Sequence, residues 1–333
     1  IIPLKEQNKN ITCPICAYDT TFYCRNIYDD RYGYSGNFDL NICNNCRHIF
    51  LNTRFSEDEL TDLYTNYYPR SDFVINHFVP LKERKGLSSW LRGYHFAAYT
   101  YVPRNVRILD IGCGFGETLS YHKKRGCDVY GSEVDRNAAF FAAKFGLNIR
   151  IGPYNSNNYE KDFFDYITLD QVIEHVSDPI ELLKGIYANL KEGGMAIISS
   201  PNAHGWGVKW YRNRWLHWHT PYHLHFYSKK SMRIAADKAN LQITSVHHAT
   251  LSEWLYWQWI HLIFMPKINE PSLYWKYMNK NIYSDNQLKQ LEKLEKIRKY
   301  RIHDIITRFF DLLQIGDNQV FILKKQPNIK KTN

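Results

Sequence analysis

The sequence predicts an α/β protein with a doubly wound, mostly parallel sheet of seven strands, preceded by a small cysteine-rich module. Two observations support this prediction. From residue 104 onwards, short apolar segments alternate with helical segments, which is typical of a parallel sheet covered by helices on both faces. Before that point, two Cys-x-x-Cys pairs have a spacing that favours a metal site over disulfides.

The composition is that of a folded protein. The chain has 333 residues, of which 44% are hydrophobic and 16% aromatic, so disorder is excluded. A net charge of +10 favours an acidic partner, but the positive residues are scattered. The first ten residues lack the pattern of a secretory signal, and the apolar run 254–265 is too short to span a bilayer. We therefore expect a cytoplasmic protein.

The first module is expected at residues 1–68 and to be built around zinc. Its two pairs can bring four thiolates to the corners of a tetrahedron, which suits Zn²⁺ and leaves no open position. The zinc would therefore be structural, and the alternative is four unrelated buried cysteines. Cys24 has no partner at ligand spacing and is expected to be a buried thiol. The predicted ligands are Cys13, Cys16, Cys43 and Cys46.

A short helix is expected after the second pair, with Ser56 as its N-cap and Pro69 at its end. Residues 69–103 would form a helical linker, and the main domain would occupy 104–333.

The main domain is expected to contain seven strands. The predicted strands are 106–110, 128–133, 148–151, 163–169, 195–200, 241–250 and 316–325. A helix is expected near 228–240, the segment 178–194 is expected to be helical, and an aromatic and charged insertion is expected at about 251–314. The last strand is expected to close the edge of the sheet.

A glycine-rich turn follows the first of these strands. Gly112, Gly114 and Gly116 allow positive φ and close approach of a ligand, and the following helix N-terminus favours an anionic group. Glu133 ends the second strand, where a carboxylate can accept hydrogen bonds from ribose hydroxyls. The alternative for Glu133 is a solvated strand end.

Five segments in order carry a resemblance to a known family. ILDIGCGFG, GSEVD, FDYITLDQVIEHVSDP, LKEGGMAIISSPN and TPYHLHFYS resemble the successive motifs of class I S-adenosylmethionine-dependent methyltransferases, in the small-molecule branch with a core like that of ubiquinone methyltransferases. The cysteine module resembles the zinc-binding appendage of enzymes that modify sugars for surface polysaccharides and natural products. The resemblance implies a Rossmann-like fold, with S-adenosylhomocysteine as the product.

The resemblance also implies a set of cofactor-binding residues. The glycine loop would hold the methionine end, Glu133 the ribose, and the residues after the fourth strand the sulfonium side. The family often has an acidic residue after the third strand, and this chain has none there, so adenine contacts near Tyr154 and Asn155 stay open. The set is Asp110, Gly112, Cys113, Gly114, Gly116, Glu133, Val134, Asp170 and Gln171.

The histidines offer a general base. His223 lies in WYRNRWLHWHTPYHLHFYS (210–228), which follows the fifth strand. This segment is expected to form the wall of the acceptor site. The alternatives are a buried aromatic core and a metal site formed by His217, His219, His223 and His225. His223 is the first choice, with His175 second, and the neighbouring Glu174 is expected to point elsewhere. A structural role that orients the loop is the alternative for His175. Tyr222 and His225 are expected to support the base.

The expected reaction is methyl transfer to a small molecule, most plausibly a sugar hydroxyl of a nucleotide- or lipid-linked precursor in polysaccharide biosynthesis. The alternative is an RNA methyltransferase that uses the zinc module to bind nucleic acid. LDQV after the fourth strand differs from the motif that would grip a base, so nucleic acid is not the expected partner. The insertion could make peripheral membrane contact through 254–265, or pack on the core or on a partner subunit. The protein would be a monomer or homodimer.

Overall fold

The computed structural model describes residues 11–67, 81, 83, 86–94 and 96–327. Its first part is an antiparallel sheet followed by a short helix, and the elements are β1 (Thr20–Ile27), β2 (Phe38–Cys43), β3 (Ile49–Leu51) and α1 (Glu57–Asp62). The Ser56 hydroxyl accepts from the Glu59 N–H at 3.2 Å, and the Ser56 N–H donates to the Glu59 carboxylate at 2.7 Å. This reciprocal capping accounts for the predicted start of the helix.

The predicted linker is described only in part. Its described elements are α2 (Leu87–Arg92) and a 3₁₀ turn at Ala98–Tyr101. The predicted helix end at Pro69 lies outside the described residues.

The main domain alternates strands and helices up to its fifth strand. Its elements up to that point are β4 (Arg107–Ile111), α3 (Glu117–Lys123), β5 (Asp128–Glu133), α4 (Ala138–Phe145), β6 (Asn148–Ile151), β7 (Phe164–Asp170), α5 (Pro179–Asn189) and β8 (Leu190–Pro201). The later elements are α6 (Trp206–Tyr211), β9 (His225–Phe226), α7 (Lys229–Lys238), β10 (Leu241–His248), α8 (Glu253–Ile263), α9 (Asp285–Lys299), α10 (Ile302–Leu312) and β11 (Asn318–Lys325).

Seven of these strands form one sheet in the order β6-β5-β4-β7-β8-β11-β10. β4 to β8 are parallel, and β11 runs antiparallel to both of its neighbours, so the predicted doubly wound, mostly parallel α/β fold is confirmed. The prediction that the last strand closes the sheet edge is wrong. β11 lies inside the sheet because its apolar side chains Val320, Phe321 and Leu323 are fully buried, whereas most side chains of β10 are half-buried.

The boundary between α5 and β8 also differs from the prediction. Residues 190–194 were expected to extend the helix, but α5 ends at Asn189 and Leu190 already pairs with Phe164 of β7. Leu190 is fully buried, and its burial against the sheet outweighs the helical preference of the neighbouring lysine and glutamate.

The cysteine module and the main domain share a sheet. β9, from the segment expected to form the acceptor wall, pairs with β3 to complete a four-stranded sheet in the order β1-β2-β3-β9. The Ser228 hydroxyl donates to the Cys46 carbonyl at 2.6 Å, and the Lys238 ammonium donates to the Ile15 carbonyl at 2.6 Å. The module therefore fixes the position of the 210–228 segment.

The predicted insertion contains α8, α9 and α10 and packs on the rest of the protein. Trp254, Leu255, Tyr256 and Ile260 of α8 are buried, as the core-packing alternative expects. The insertion also contacts the module, since the Tyr28 hydroxyl donates to the Pro266 carbonyl at 2.7 Å. Within the described part of the chain, every helix is too short or too polar to cross a bilayer.

Candidate active site

The glycine loop after β4 has the geometry that the sequence predicts. Gly112, Gly114 and Gly116 have φ of +70°, +55° and +88°, a region that favours glycine. A Cβ on Gly112 would lie 2.5 Å from a methyl of Val172, and one on Gly116 would lie 2.5 Å from a methyl of Leu147. Both the backbone conformation and the close packing therefore require glycine in this loop.

Two carboxylates hold the loop in place. Asp110 is buried and accepts hydrogen bonds from the hydroxyls of Thr118 and, at 2.7 Å, Thr168. Burial raises the pKa of Asp110 to about 6. Glu133, at the end of β5, accepts from the N–H groups of Gly114 and Asp135, each at 2.9 Å. Glu133 thus lies beside the loop, and Asp110 acts from beneath it.

Two further residues of the predicted cofactor set, Cys113 and Val134, differ in how far their side chains are exposed. Cys113 is buried, with its thiol 3.7 Å from the Gly114 carbonyl, while the side chain of Val134 is 57% exposed. Val134 is therefore open to a ligand, and Cys113 contributes to the packing under the loop.

Asp170, the last residue of β7, and Gln171, which follows it, bond to the protein itself. Asp170 accepts from the Ala98 N–H at 2.7 Å, and burial raises its pKa to about 7. The Gln171 amide donates to the Ser199 hydroxyl at 2.7 Å and to the Asn318 side chain at 3.1 Å. Gln171 therefore joins the ends of β7, β8 and β11, next to the glycine loop.

Tyr154 and Asn155, the residues considered for adenine contacts, also form hydrogen bonds within the protein. The Tyr154 hydroxyl donates to the side chain of Asn189 at 2.6 Å, and burial raises the Tyr154 pKa. Asn155 accepts from the Asn157 N–H at 2.9 Å, which begins a short 3₁₀ turn.

Glu174, His175 and His223 form a compact group. One donor atom from each of the three side chains lies within 4.8 Å of the others. The His175 and His223 rings are perpendicular, with centroids 4.6 Å apart. His175 Nδ1 lies 3.0 Å from the Tyr222 carbonyl and His223 Nδ1 lies 2.9 Å from the His217 carbonyl, so each Nδ1 carries a proton that it donates. The lone pair of each neutral ring is therefore on Nε2.

The prediction that Glu174 points elsewhere is wrong. Residues 173–175 form a single 3₁₀ turn rather than an α-helix, and the Leu224 N–H donates to the Glu174 carbonyl at 2.7 Å. That bond folds the 219–224 segment over the turn and brings His223 to the carboxyl group. The sequence gives no local signal for this contact, because the two residues are distant in the chain.

Burial sets the charges of the group. The Glu174 carboxyl is fully buried, and neither of its oxygens has a hydrogen-bond partner among the described residues. Burial raises the pKa of Glu174 to about 8 and lowers the pKa of His175 to about 4. Burial, with the nearby His175 ring, also holds the pKa of His223 well below its ordinary value. Near neutral pH, both imidazoles are uncharged.

The other predicted supporting residues lie around this group. Tyr222 holds His175 through its carbonyl, while its hydroxyl faces Asp29 of the module at 3.4 Å. His225 is on β9 and lies 3.0 Å from His48 of the module, so it supports the shared sheet.

The alternative four-histidine metal site is not assembled. His217 packs on Trp254 with centroids 4.0 Å apart, and His219 Nδ1 lies 3.4 Å from His223 Nε2. Among the described residues, the carboxyl and imidazoles of Glu174, His175 and His223 instead offer a mixed oxygen and nitrogen donor set that could hold a divalent cation.

The four cysteines of the module fit a zinc ion. The Sγ atoms of Cys13 and Cys46 are 3.6 Å apart, and those of Cys16 and Cys43 are 3.4 Å apart. Tetrahedral bonds of about 2.3 Å place sulfurs roughly 3.8 Å apart, so only small shifts are needed. The Ile15 and Cys46 N–H groups point at sulfurs at 3.4 and 3.3 Å, as stabilised thiolates require. Cys24 lies outside this cluster and is half-buried rather than buried.

Comparisons with known proteins identify a family for this chain. A family model described as "Methyltransferase domain" matches residues 74–246. The ubiquinone biosynthesis O-methyltransferase of Roseobacter denitrificans is 35% identical over 105 residues, which cover 30% of this chain and 42% of that protein. The enzyme of the same name from Aeromonas salmonicida is 30% identical over 103 residues, covering 29% and 43%. The chain thus spans about two fifths of the length of these curated relatives.

Solved structures with similar folds were also found. An S-adenosylmethionine-dependent methyltransferase from Archaeoglobus fulgidus is 17% identical, with a TM-score of 0.41, over 68% of this chain and 88% of that one. Phosphoethanolamine N-methyltransferase 2 of Haemonchus contortus, in complex with S-adenosyl-L-methionine, is 18% identical with a TM-score of 0.42, over 72% and 56%.

Proposed function

This chain belongs to the methyltransferase-domain family. From that premise we propose that it is an S-adenosylmethionine-dependent methyltransferase and that it methylates a hydroxyl of a sugar. The acceptor would be a nucleotide- or lipid-linked glycan precursor. The observation that carries the proposal is the Glu174, His175 and His223 group. It follows β7 at the carboxyl end of the sheet, the side on which open parallel sheets bind their ligands.

The glycine loop and Glu133 would hold the cofactor. The N–H groups at the start of α3 favour the cofactor carboxylate, and Glu133 would exchange its bond to the Gly114 N–H for the ribose hydroxyls. Asp110 would keep the loop in place through its two threonine partners. Val134, Asp170 and Gln171 would complete the pocket. Bound S-adenosylmethionine supplies an activated methyl group, so the protein contributes mainly proximity and orientation.

His223 would act as the general base. Its Nδ1 proton is held by the His217 carbonyl, and its Nε2 lone pair faces His219 Nδ1 at 3.4 Å. An acceptor hydroxyl would take the place of His219 and give its proton to Nε2. The resulting imidazolium would be stabilised by the dipole of the neutral Glu174 carboxyl beside it, and it would return the proton to solvent after the transfer. His175 would fix the orientation of His223 by its perpendicular ring contact. Such a base contributes about 10²- to 10⁴-fold in rate.

The aromatic side chains beside the group are buried, as the core alternative for the 210–228 segment expects. Tyr32 of the module lies edge-on to both His219 and Tyr222, with centroid distances of 5.8 and 5.6 Å, and all three rings are buried. The module would thus hold the segment that carries His223 in place.

The module is proposed to bind structural zinc and to occupy residues 1–68, followed by a linker at 69–103 and the methyltransferase domain at 104–333. The four cysteines would hold the ion and leave no position for a substrate. Zinc would therefore stabilise the sheet that β9 completes, rather than take part in the reaction.

Labelled cofactor tests the acceptor class. The protein is incubated with methyl-labelled S-adenosylmethionine and, separately, with nucleotide-sugar, lipid-linked glycan and RNA fractions. We expect label in one of the sugar fractions and a large loss with His223→Ala, while cofactor binding measured by calorimetry is retained. His247→Ala, on the half-buried face of β10, is the matched control. Label found only in RNA would establish the alternative, an RNA methyltransferase.

A further inference from the structure

A concave site lies between the module and the main domain, apart from the candidate active site. A cavity of about 500 Å³ is bounded on one side by β1, β2 and Arg47, and on the other by residues 203–213 and Trp218. The Glu174, His175 and His223 side chains do not line it. Its volume is in the usual range of small-molecule pockets.

The cavity is strongly basic. Arg47, Lys209 and Arg212 line it, and no acidic residue does. None of the ion pairs found in the described parts of the chain involves these three side chains. All three residues are exposed, and an anion in the cavity would offset the repulsion among their like charges.

A half-buried histidine, His204, lies near the same positive charges. His204 also lines the cavity, and its Nε2 is buried without a hydrogen-bond partner among the described residues. Burial lowers the pKa of His204, and the charges of Arg47 and Lys209 lower it further. A bound anion would offset those charges and allow Nε2–H to donate to it.

Two aromatic rings line the same cavity. Tyr23 and Trp218 lie edge-to-face with centroids 5.8 Å apart, and the Tyr23 side chain is 39% exposed. The Trp218 indole N–H donates to the Arg212 carbonyl at 2.7 Å, which holds the arginine backbone beside the ring. An exposed ring next to unpaired cations suits a ligand that has both a planar ring and an anionic group.

The cavity is separate from the candidate active site. Trp218 packs on Phe226 with centroids 5.0 Å apart, and Phe226 in turn lies 6.0 Å from His223. Two layers of buried rings therefore stand between the basic side chains and the proposed base.

We propose that this cavity is a binding site for a phosphorylated small molecule with a planar ring, of the nucleoside diphosphate class. Arg47, Lys209 and Arg212 bind the phosphates, and Tyr23 packs on the base. The compact volume favours such a molecule over a polynucleotide, because specific nucleic-acid interfaces bury about 1,000 Å² or more of protein surface.

Direct binding tests the assignment without any methyl transfer, so its failure is distinguishable from failure of the proposed reaction. Calorimetry with the full chain, in the absence of S-adenosylmethionine, uses UDP, inorganic pyrophosphate and uridine as probes. We expect saturable binding of UDP, weaker binding of pyrophosphate and a marked loss of UDP affinity in high salt. Arg212→Gln should weaken UDP about tenfold or more, the effect of losing one charged hydrogen bond.

Two further variants keep the test specific. Arg214→Gln changes an exposed arginine of the same 3₁₀ turn that does not line the cavity, and it should leave UDP binding unchanged. Tyr23→Ala should weaken UDP and leave pyrophosphate unaffected. The assignment is overturned if UDP does not bind, if Arg214→Gln acts like Arg212→Gln, or if UDP and pyrophosphate bind equally. Binding of an RNA oligonucleotide alone, without UDP, would overturn it in favour of a nucleic-acid surface.

Discussion

Replacing Glu174 by glutamine should stabilise the protein, and the gain should grow with pH. The Glu174 carboxyl is fully buried with neither oxygen hydrogen-bonded among the described residues, so it folds in its protonated form. In the unfolded chain it ionises above its ordinary pKa of 4.5, whereas in the folded protein its pKa is about 8. The unfolded state therefore loses this proton first, and the carboxyl destabilises the wild-type fold progressively as the pH rises from 4.5 to about 8.

The size of the effect follows from the same two values. One pH unit corresponds to about 1.4 kcal/mol. The interval from 4.5 to about 8 thus gives a limit of about 5 kcal/mol, which relaxation and water entry reduce to about 2–3 kcal/mol. Glutamine has nearly the same shape and does not titrate, so the difference between the two proteins should be small at pH 5 and large at pH 8.

Urea unfolding followed by fluorescence of the nine tryptophans measures this difference at both pH values, in buffer without added divalent cations. Groups other than Glu174 titrate equally in both proteins and cancel. Glu160→Gln, at an exposed position, is the matched control and should show no growing gain. A Glu174→Gln variant whose advantage stays constant or shrinks from pH 5 to pH 8 would refute a neutral, buried Glu174.

Three further changes test the site. His223→Gln should lower kcat by about 10²-fold or more with unchanged affinity for S-adenosylmethionine by calorimetry; a variant with full turnover would remove His223 as the base. Gly112→Ala should weaken cofactor binding about tenfold, because positive φ costs alanine about 1–2 kcal/mol and the added Cβ would clash with Val172. Equal cofactor affinity of the variant and the wild type by calorimetry would contradict this. Wild-type protein should contain about one zinc per chain by atomic absorption; Cys13→Ser should lose it and Cys24→Ser should keep it, and equal zinc in the two variants would exclude the four-cysteine site.

Local patterns were sufficient to predict the seven strands of the main sheet and the positive φ of the glycine loop. The strand at 148–151 has the predicted bounds, because its apolar residues lie between turn signals. Positive φ was predictable at Gly112, Gly114 and Gly116, because only glycine adopts it without strain where the backbone turns sharply after a strand. Signals of this kind lie within a few residues of the feature that they specify.

Features that depend on distant parts of the chain were not predictable in this way. Glu174 meets His223 only because a backbone hydrogen bond from Leu224 folds one segment over another. β11 looks like an edge strand from its position in the sequence, but its place inside the sheet depends on pairing with β10 and β8. The basic cavity likewise needs both the module and the segment after β8, and neither shows it alone.

The strand shared between the module and the main domain constrains how such proteins can change during evolution. Without β9, β3 would be an open sheet edge with three buried apolar side chains, which is a template for aggregation. A transfer of the module to another enzyme would therefore have to include β9. The residues around His223 that give β9 its course would have to move together with the four cysteines.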